Sequence, residues 1–172
     1  TLDGKAARAV TQLQIALSEA IELRTPARLL RSAAETALAT FVLIVALIEG
    51  ASGFGVLAIW ASHLHHELGL SLSASGAIVA LFGLGGMLYM AVARFLIPRL
   101  GEHGLARGGV TLLGLSTLVI AYAPVWWPSV PASLLAGFGF FMFHNTMQAN
   151  ATQMAPAARG TAVSLFASAL FM

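Results

Sequence analysis

One carboxyl group stands alone inside a long hydrophobic stretch of this sequence. Glu49 lies 13 residues into a helix predicted from Thr36 to Ser62, which places it near the middle of that helix. Because a charge in an apolar environment is costly, an acidic residue there is a functional candidate by default. Glu49 is therefore predicted to exchange a proton or to bind a cationic group. The alternative is a carboxyl that stays protonated and hydrogen-bonds to a neighbouring helix.

Polar side chains also cluster on a later predicted helix. His144 and Gln148 are four residues apart, and Asn145 and Gln148 are three apart, so the three share one helix face. Histidine is the side-chain type that changes its charge near neutral pH. The cluster could bind a substrate, although polar groups of this kind more often hold membrane helices together. His144 and Glu49 could differ by several ångströms in depth, which leaves a direct contact between them open.

The composition indicates that these groups lie in a membrane. Of 172 residues, 58% are hydrophobic and only 9% are charged, against roughly 25% in an ordinary soluble domain. Such a chain cannot cover itself with a polar surface, so an integral membrane protein in contact with the lipid bilayer is predicted. The net charge of +2 is too small for a nucleic-acid partner. The absence of cysteine excludes disulfides and zinc–thiolate sites.

The charges divide the chain into a polar leader, residues 1–35, and a hydrophobic bundle, residues 36–172. The leader holds nine of the sixteen charged side chains and shows the apolar periodicity of an amphipathic helix. Thr25 and Pro26 are predicted to start a second helix, as its N-cap and its first residue. A solvated cytoplasmic segment is favoured for the leader, and a helix lying on the membrane surface is the alternative.

The hydrophobic bundle contains several stretches long enough to span a bilayer, which takes about 20 helical residues. One uncharged run is too long for a single helix, and the prolines and tryptophans of residues 123–128 divide it. The fold class predicted is therefore an all-α, polytopic membrane bundle. The predicted spans are about 36–62, 71–97, 108–122 and 129–149, and a fifth begins near Gly160.

The basic residues all fall on one side of these predicted spans. The loops at residues 63–70 and 123–128 contain no Lys or Arg, whereas the leader and the other loops hold all nine. Because basic loops stay in the cytoplasm, the N-terminus is predicted to be cytoplasmic. The loop with His63, His65 and His66 then lies outside. For these histidines an exposed loop is favoured over metal binding, and no metal site is predicted.

Glycines recur inside the predicted spans and are candidates for helix packing or hinges. Small residues let membrane helices approach each other closely, because lipid supplies no hydrophobic drive for association. The helix interiors carry five such candidates: Gly53, Gly83, Gly86, Gly137 and Gly139.

Two loop motifs resemble those of the major facilitator superfamily of secondary transporters. That family has the pattern G-x-L-x-D-R-x-G-R-R after the second helix of each half, which Arg99 and Gly101 match here. Pro98 stands where the pattern has Asp, and a Glu-His pair replaces the basic pair. After the fourth predicted helix, Pro156 and residues 159–162 (Arg-Gly-Thr-Ala) match a second family turn.

The resemblance covers residues 27–172 and implies the C-terminal half of such a transporter, a fragment with helices seven to ten and the start of eleven. The leader would be the central linker, and an N-terminal six-helix half would be the missing partner. Arg99, Gly101 and Arg159 would be cytoplasmic gate or loop residues. Glu49, His144, Asn145 and Gln148 would form the proton-coupling or substrate site near the bilayer midplane.

The function implied is secondary transport of a small solute by alternating access. The motifs most resemble those of the drug- or sugar-efflux branches, and Glu49 would couple transport to a proton. No enzymatic activity and no cofactor are implied, and the expected location is a bacterial inner membrane. A non-transporting membrane subunit or partner-binding remnant is the alternative. A membrane-embedded enzyme is less favoured, since the sequence shows no second polar cluster at the predicted depth of Glu49.

Overall fold

Helices account for nearly all of the structure, a computed structural model that describes residues 2–23, 26–154 and 159–171. No strand occurs among these residues, which confirms the predicted all-α fold class for the described chain. The chain divides after Phe41 into two compact units, which are described separately. The helices are α1 (Leu2–Leu23), α2 (Pro26–His66), α3 (Leu72–Tyr122), α4 (Ser129–Met154) and α5 (Arg159–Leu170).

The first unit contains α1 and the first residues of α2. The predicted helical leader is therefore present as α1, and several of its large apolar side chains, including Val10, Leu13 and Ile21, are exposed. The predicted N-cap Thr25 lies outside the described residues. Pro26 is the first residue of α2, a position that suits proline because its missing N–H would be unpaired there anyway.

In the second unit, α4 runs antiparallel to residues 42–66 of α2. Near one end of the pair Trp60 belongs to the same apolar cluster as Ala132. Toward the other end Val42 shares a cluster with Ala151. In one direction along the pair, residue numbers rise in α4 and fall in α2. Residues near the middle of α4 therefore lie beside residues near the middle of this part of α2.

Helix α3 is two helices joined at one residue. Gly101 has φ +64° and ψ 176°, which interrupts the helix between a first arm (residues 72–100) and a second arm (residues 102–122). In a straight helix Phe82 and Leu113 would be about 46 Å apart, at a rise of 1.5 Å per residue. Both line one cleft, so the second arm folds back along the first.

The two arms correspond to the predicted spans 71–97 and 108–122, but the predicted loop between them is wrong. Residues 98–100 and 102–107 are helical, and only Gly101 leaves helical geometry. The reason is that glycine adopts positive φ without a steric penalty, so one residue reverses the chain.

Helices α3 and α4 begin where the sequence predicts, whereas α2 and α4 end beyond their predicted last residues. The Ser71 hydroxyl caps α3 by accepting a hydrogen bond from the Ala74 N–H, at 3.2 Å. α4 begins at Ser129 as predicted, and the preceding turn is closed by the Ser129 N–H donating to the Trp126 carbonyl. α2 and α4 continue four and five residues beyond their predicted ends, because apolarity marks the spanning part rather than the helix end.

Two of the described helices combine the length and apolarity needed to cross a membrane: residues 35–66 of α2, and α3. Each arm of α3 is long enough to cross alone, at about 44 Å and about 32 Å. The expected span in α4 is not among them, since the polar residues 144–150 interrupt its apolar run. Large apolar side chains such as Ile59 and Met87 are exposed, which is typical of a surface that contacts lipid.

Candidate functional site

The antiparallel register brings Glu49 and His144 together. Glu49 lies 17 residues before the end of α2, and His144 lies 15 residues after the beginning of α4, so their levels differ by only about 3 Å. The Nδ1 atom of His144 is 3.1 Å from the Oε1 atom of Glu49. The contact that the sequence leaves open is therefore present in the structure, and it joins α2 to α4.

The pair is enclosed by protein, and one of its oxygens is unpaired. The side chain of Glu49 is 2% exposed and that of His144 is 14% exposed. Glu49 Oε2 is buried and has no hydrogen-bond partner among the described residues. A buried polar atom without a partner costs free energy. This oxygen can therefore accept a proton, or a hydrogen bond from a bound molecule, without breaking an existing bond.

Aromatic rings surround the imidazole of His144. The Phe140 ring is stacked on it at an interplanar angle of 6°, with the ring centroids 5.7 Å apart. The Phe166 ring, from α5, lies 5.5 Å away on centroids. These rings hold the plane of the imidazole and exclude water, and their faces attract a protonated imidazole. The sequence analysis missed Phe140, although its position four residues before His144 places it on the same helix face.

Two glycines of α2 make room for this arrangement. A Cβ atom at Gly53 would lie 2.5 Å from a ring carbon of Phe140. A Cβ atom at Gly50 would overlap the carbonyl oxygen of Leu170 near the end of α5. Gly53 therefore lies at a packing contact with Phe140, and Gly50 allows the backbone of α5 to approach the residue next to Glu49.

The predicted polar cluster on α4 contacts two different helices. Asn145 lies near the side chain of Tyr89 on the first arm of α3, and Tyr89 is 1% exposed. Gln148 is half-buried, one turn beyond His144. His144 therefore bonds to α2, while Asn145 faces α3. The sequence analysis did not identify Tyr89, because nothing in its spacing shows which helix faces it.

Backbone contacts through glycine join α3 to α4. A Cβ atom at Gly137 would overlap the carbonyl oxygen of Phe82. A Cβ atom at Gly139 would lie 2.7 Å from the carbonyl oxygen of Gly109, on the second arm of α3. Both glycines of α4 therefore lie at packing contacts, one with each arm.

The glycines on the first arm of α3 differ in what surrounds them. A Cβ atom at Gly86 would overlap the ring of Phe141, so Gly86 lies at a contact. Gly83 is exposed and its Cβ position has nothing within 4 Å among the described residues, so its predicted hinge or packing role stays a prediction. At Gly85, by contrast, a Cβ atom would overlap the carbonyl oxygen of Leu134. The reason is helix periodicity, since residues two apart point to different sides.

The predicted cytoplasmic residues lie at helix junctions. Arg99 is exposed near the end of the first arm of α3, two residues before the reversal at Gly101. Arg159 is exposed and is the first residue of α5. Pro156 of the second family turn lies outside the described residues. The gate role of these residues stays a prediction.

The histidines of the predicted outer loop lie in the last turn of α2. A ring nitrogen of His65 is 2.6 Å from the carbonyl oxygen of Leu70, where Gly69 adopts a φ of +70°. Across the described parts of the chain, no group of three or more His, Asp or Glu side chains could hold a metal ion.

Comparison with known proteins gives one match. The family model of the Major Facilitator Superfamily matches residues 5–172, a range that includes every residue of the site. No curated protein matches the chain, and no solved structure matches it.

Proposed function

Since the chain belongs to the major facilitator superfamily, we propose that it is part of a secondary transporter in which the Glu49–His144 pair exchanges a proton as a solute crosses the membrane. Proteins of this family are integral membrane transporters and not enzymes, so transport of some solute follows from membership. The coupling ion and the residues that bind it are the proposal.

The buried contact between Glu49 and His144 is the observation that carries this proposal. With one proton shared between carboxylate and imidazole, the pair is neutral, whether it is an ion pair or two uncharged groups. Adding a second proton leaves a net positive charge in an apolar setting and removes the attraction between α2 and α4. Because such a charge is costly when buried, the doubly protonated pair favours helix separation and hydration.

This link between protonation and helix contact fits alternating access. In transporters built from repeats, the coupling site lies near the bilayer midplane and opens to one side at a time. In the proposed arrangement the chain supplies helices seven to ten and the start of eleven, and an N-terminal six-helix half completes the transporter. The cytoplasmic N-terminus belongs to the same proposal and is supported by the distribution of basic residues. The bacterial inner membrane and the efflux direction are also part of it, and efflux is the branch that the loop motifs most resemble.

Infrared difference spectroscopy of the reconstituted chain tests the proton exchange without knowledge of the solute. Changing the pH should produce the carbonyl stretching band of a protonated carboxyl, and Glu49→Gln should remove that band. Glu67→Gln is the matched control, because Glu67 is exposed at the end of α2 and should leave the buried band unchanged. A band that survives in Glu49→Gln would contradict the assignment to Glu49.

Transport by the complete protein gives a second test. Glu49→Gln imitates the protonated carboxyl, so solute exchange should persist while flux driven by a pH gradient is lost. Unchanged gradient-driven flux would overturn the coupling role. Absence of both flux and exchange in the unmodified protein would favour the alternative of a non-transporting membrane subunit.

A further inference from the structure

The reversal at Gly101 brings two arginines to the same level on the two arms of α3. Arg94 lies seven residues before Gly101 and Arg107 lies six residues after it, which is about 10.5 Å and about 9 Å along the respective arms. The arms converge here, because Leu105 of the second arm and Ala93 of the first belong to one apolar cluster. Arg94 and Arg107 therefore lie on neighbouring arms at levels that differ by less than about 2 Å.

Both arginines stand where charged sequence gives way to uncharged sequence. Residues 72–93 of the first arm contain no charged side chain, and neither do residues 108–122 of the second arm. The first of these runs is about 33 Å long, which matches a hydrocarbon thickness of roughly 30 Å. Arg94 is thus the first charge beyond the hydrocarbon on one arm, and Arg107 is the first on the other. Guanidinium groups at this position reach the depth of the lipid phosphates.

These two charges are not neutralised within the described part of the chain. Both side chains are exposed, and neither forms an ion pair with another described residue. Closer to the reversal, Arg99 and Glu102 carry opposite charges that offset each other. The guanidinium carbon of Arg94 lies 4.5 Å from the centre of the Phe95 ring, a contact that does not use its N–H groups. Guanidinium groups with free N–H donors favour phosphate, to which they can donate two parallel hydrogen bonds.

An exposed apolar face continues from Arg94 toward the interior of the membrane. Met90 and Met87 lie four and seven residues before Arg94, so the three share one face of the helix. Both methionines are more than half exposed, and so is Val110, which lies three residues after Arg107 on the second arm. An occupant therefore needs an anionic group at the level of the arginines and hydrocarbon below it. An anionic phospholipid has both in this order, whereas a soluble phosphate compound lacks the hydrocarbon.

We propose that this end of α3 binds an anionic phospholipid, with its phosphate on Arg94 and Arg107 and an acyl chain along the exposed methionines. Neighbouring helices lie about 8–10 Å apart, a gap that two long arginine side chains can close around one phosphate. A phosphate held by both arms would link them across the reversal. The site shares no residue with the Glu49–His144 pair, so it does not rest on the proposed proton exchange.

Native mass spectrometry of the chain in detergent tests this proposal on the unmodified protein. The probes are dioleoylphosphatidylglycerol and dioleoylphosphatidylcholine, which have the same acyl chains and a phosphate each but differ in net charge. The anionic lipid is expected to bind saturably, at least about fivefold more tightly than the zwitterionic lipid, because each basic residue near a membrane surface favours an anionic lipid by about this factor. Equal affinities for the two lipids would overturn the proposal.

Single substitutions locate the site. Arg94→Gln and Arg107→Gln should each lower the affinity for the anionic lipid about fivefold, whereas Arg94→Lys keeps the charge and should lose less. Arg159→Gln is the matched control, because Arg159 is exposed and carries the same charge but belongs to α5. An equal loss of affinity in Arg159→Gln would overturn the site, since the lipid would then respond to the overall charge of the protein.

Glycerol 3-phosphate distinguishes a lipid from a soluble source of the same phosphate group. It has no hydrocarbon to cover the methionine face, so an excess of it should leave the bound phosphatidylglycerol in place. Displacement of the lipid would mean that the arginines bind phosphate alone, which would overturn the phospholipid as the occupant. The lipid comparison and this competition need no substitution, so a folding defect in a variant cannot obscure them.

Discussion

Helix α4 contacts its neighbours in two different ways. Toward α3 it makes what we name the glycine contact, in which Gly137 and Gly139 meet the backbones of the two arms. Toward α2 and α5 it makes the polar contact, defined by Glu49, His144 and the Phe140 and Phe166 rings. One contact is made of backbone at close range, and the other of side chains that carry charge.

The difference indicates which parts of the second unit stay together and which can separate. The glycine contact contains no ionisable group, so changes of pH leave its energy unaltered. Because the backbones of α3 and α4 are closely packed there, the contact also resists movement of one helix relative to the other. In the proposed function, the polar contact weakens when the pair gains a second proton. We therefore expect α3 and α4 to behave as one body, with α2 and α5 as the elements whose contact with it depends on protonation.

Gly137→Val breaks the glycine contact and should have the largest effect. Its added side chain would overlap the Phe82 carbonyl, and backbone cannot give way as a flexible side chain can. The folded protein should be lost, as seen by the disappearance of a monodisperse peak in size-exclusion chromatography in detergent. Gly83→Val is the control, because its site is open, and it should retain the peak. A folded Gly137→Val variant would show that α3 and α4 can separate.

His144→Leu breaks the polar contact and should have the next largest effect. It leaves the Glu49 carboxyl buried without its partner, which should lower the free energy of unfolding by about 3 kcal/mol at neutral pH. Adding Glu49→Gln should recover most of this loss, because the uncompensated charge is then absent. Unfolding midpoints of the two single variants and the double variant measure the coupling. Strictly additive losses would mean that the two side chains do not interact.

Gly53→Ala sharpens the comparison by disturbing the polar contact without touching its charges. The added methyl group would press on the Phe140 ring, which can shift but then moves off the His144 imidazole. We expect a stability loss of about 2 kcal/mol, as for other overpacked sites. The infrared carboxyl band of Glu49 should also shift. Gly55→Ala, on the same helix with open space, should leave the band in place. An unshifted band in Gly53→Ala would mean that Phe140 does not position the imidazole.

The sequence was sufficient to identify the helices and the chemically distinctive residues, because composition and charge reflect the membrane directly. The hydrophobic runs predicted the starts of α3 and α4 within one residue, and the rarity of intramembrane charge identified Glu49. In an antiparallel pair, the end of α2 lies beside the beginning of α4. Counting residues backward from the one and forward from the other would therefore also have predicted that Glu49 and His144 lie at the same level.

Other features depend on information that a hydropathy pattern does not contain. Gly83 and Gly85 are alike in sequence, and the crossing of α3 over α4 alone decides which of them faces a neighbour. The reversal at Gly101 was predicted as a longer loop, because the surrounding residues are as polar as a loop although they are helical. The partner of Asn145 likewise depends on the face that the first arm of α3 presents.

Gly101→Ala tests the joint between the two arms and should have the smallest effect. Alanine at a φ of +64° and a ψ of 176° enters a region that is essentially restricted to glycine, which should cost at least about 1 kcal/mol, although its Cβ would contact nothing within 4 Å. The melting temperature should therefore fall slightly. Gly101→Asn should show no recovery, because the tolerance of asparagine for positive φ is confined to a ψ of roughly +30 to +60°.

Gly83→Ala is the matched control for the joint. Gly83 is helical and open, so alanine there should stabilise the chain by up to about 1 kcal/mol. Neither contact of α4 includes Gly101, so the infrared band of Glu49 should be the same in Gly101→Ala as in the unmodified chain. A shifted band would mean that the reversal transmits strain through the glycine contact to the polar one, and that α3 and α4 do not move as one body.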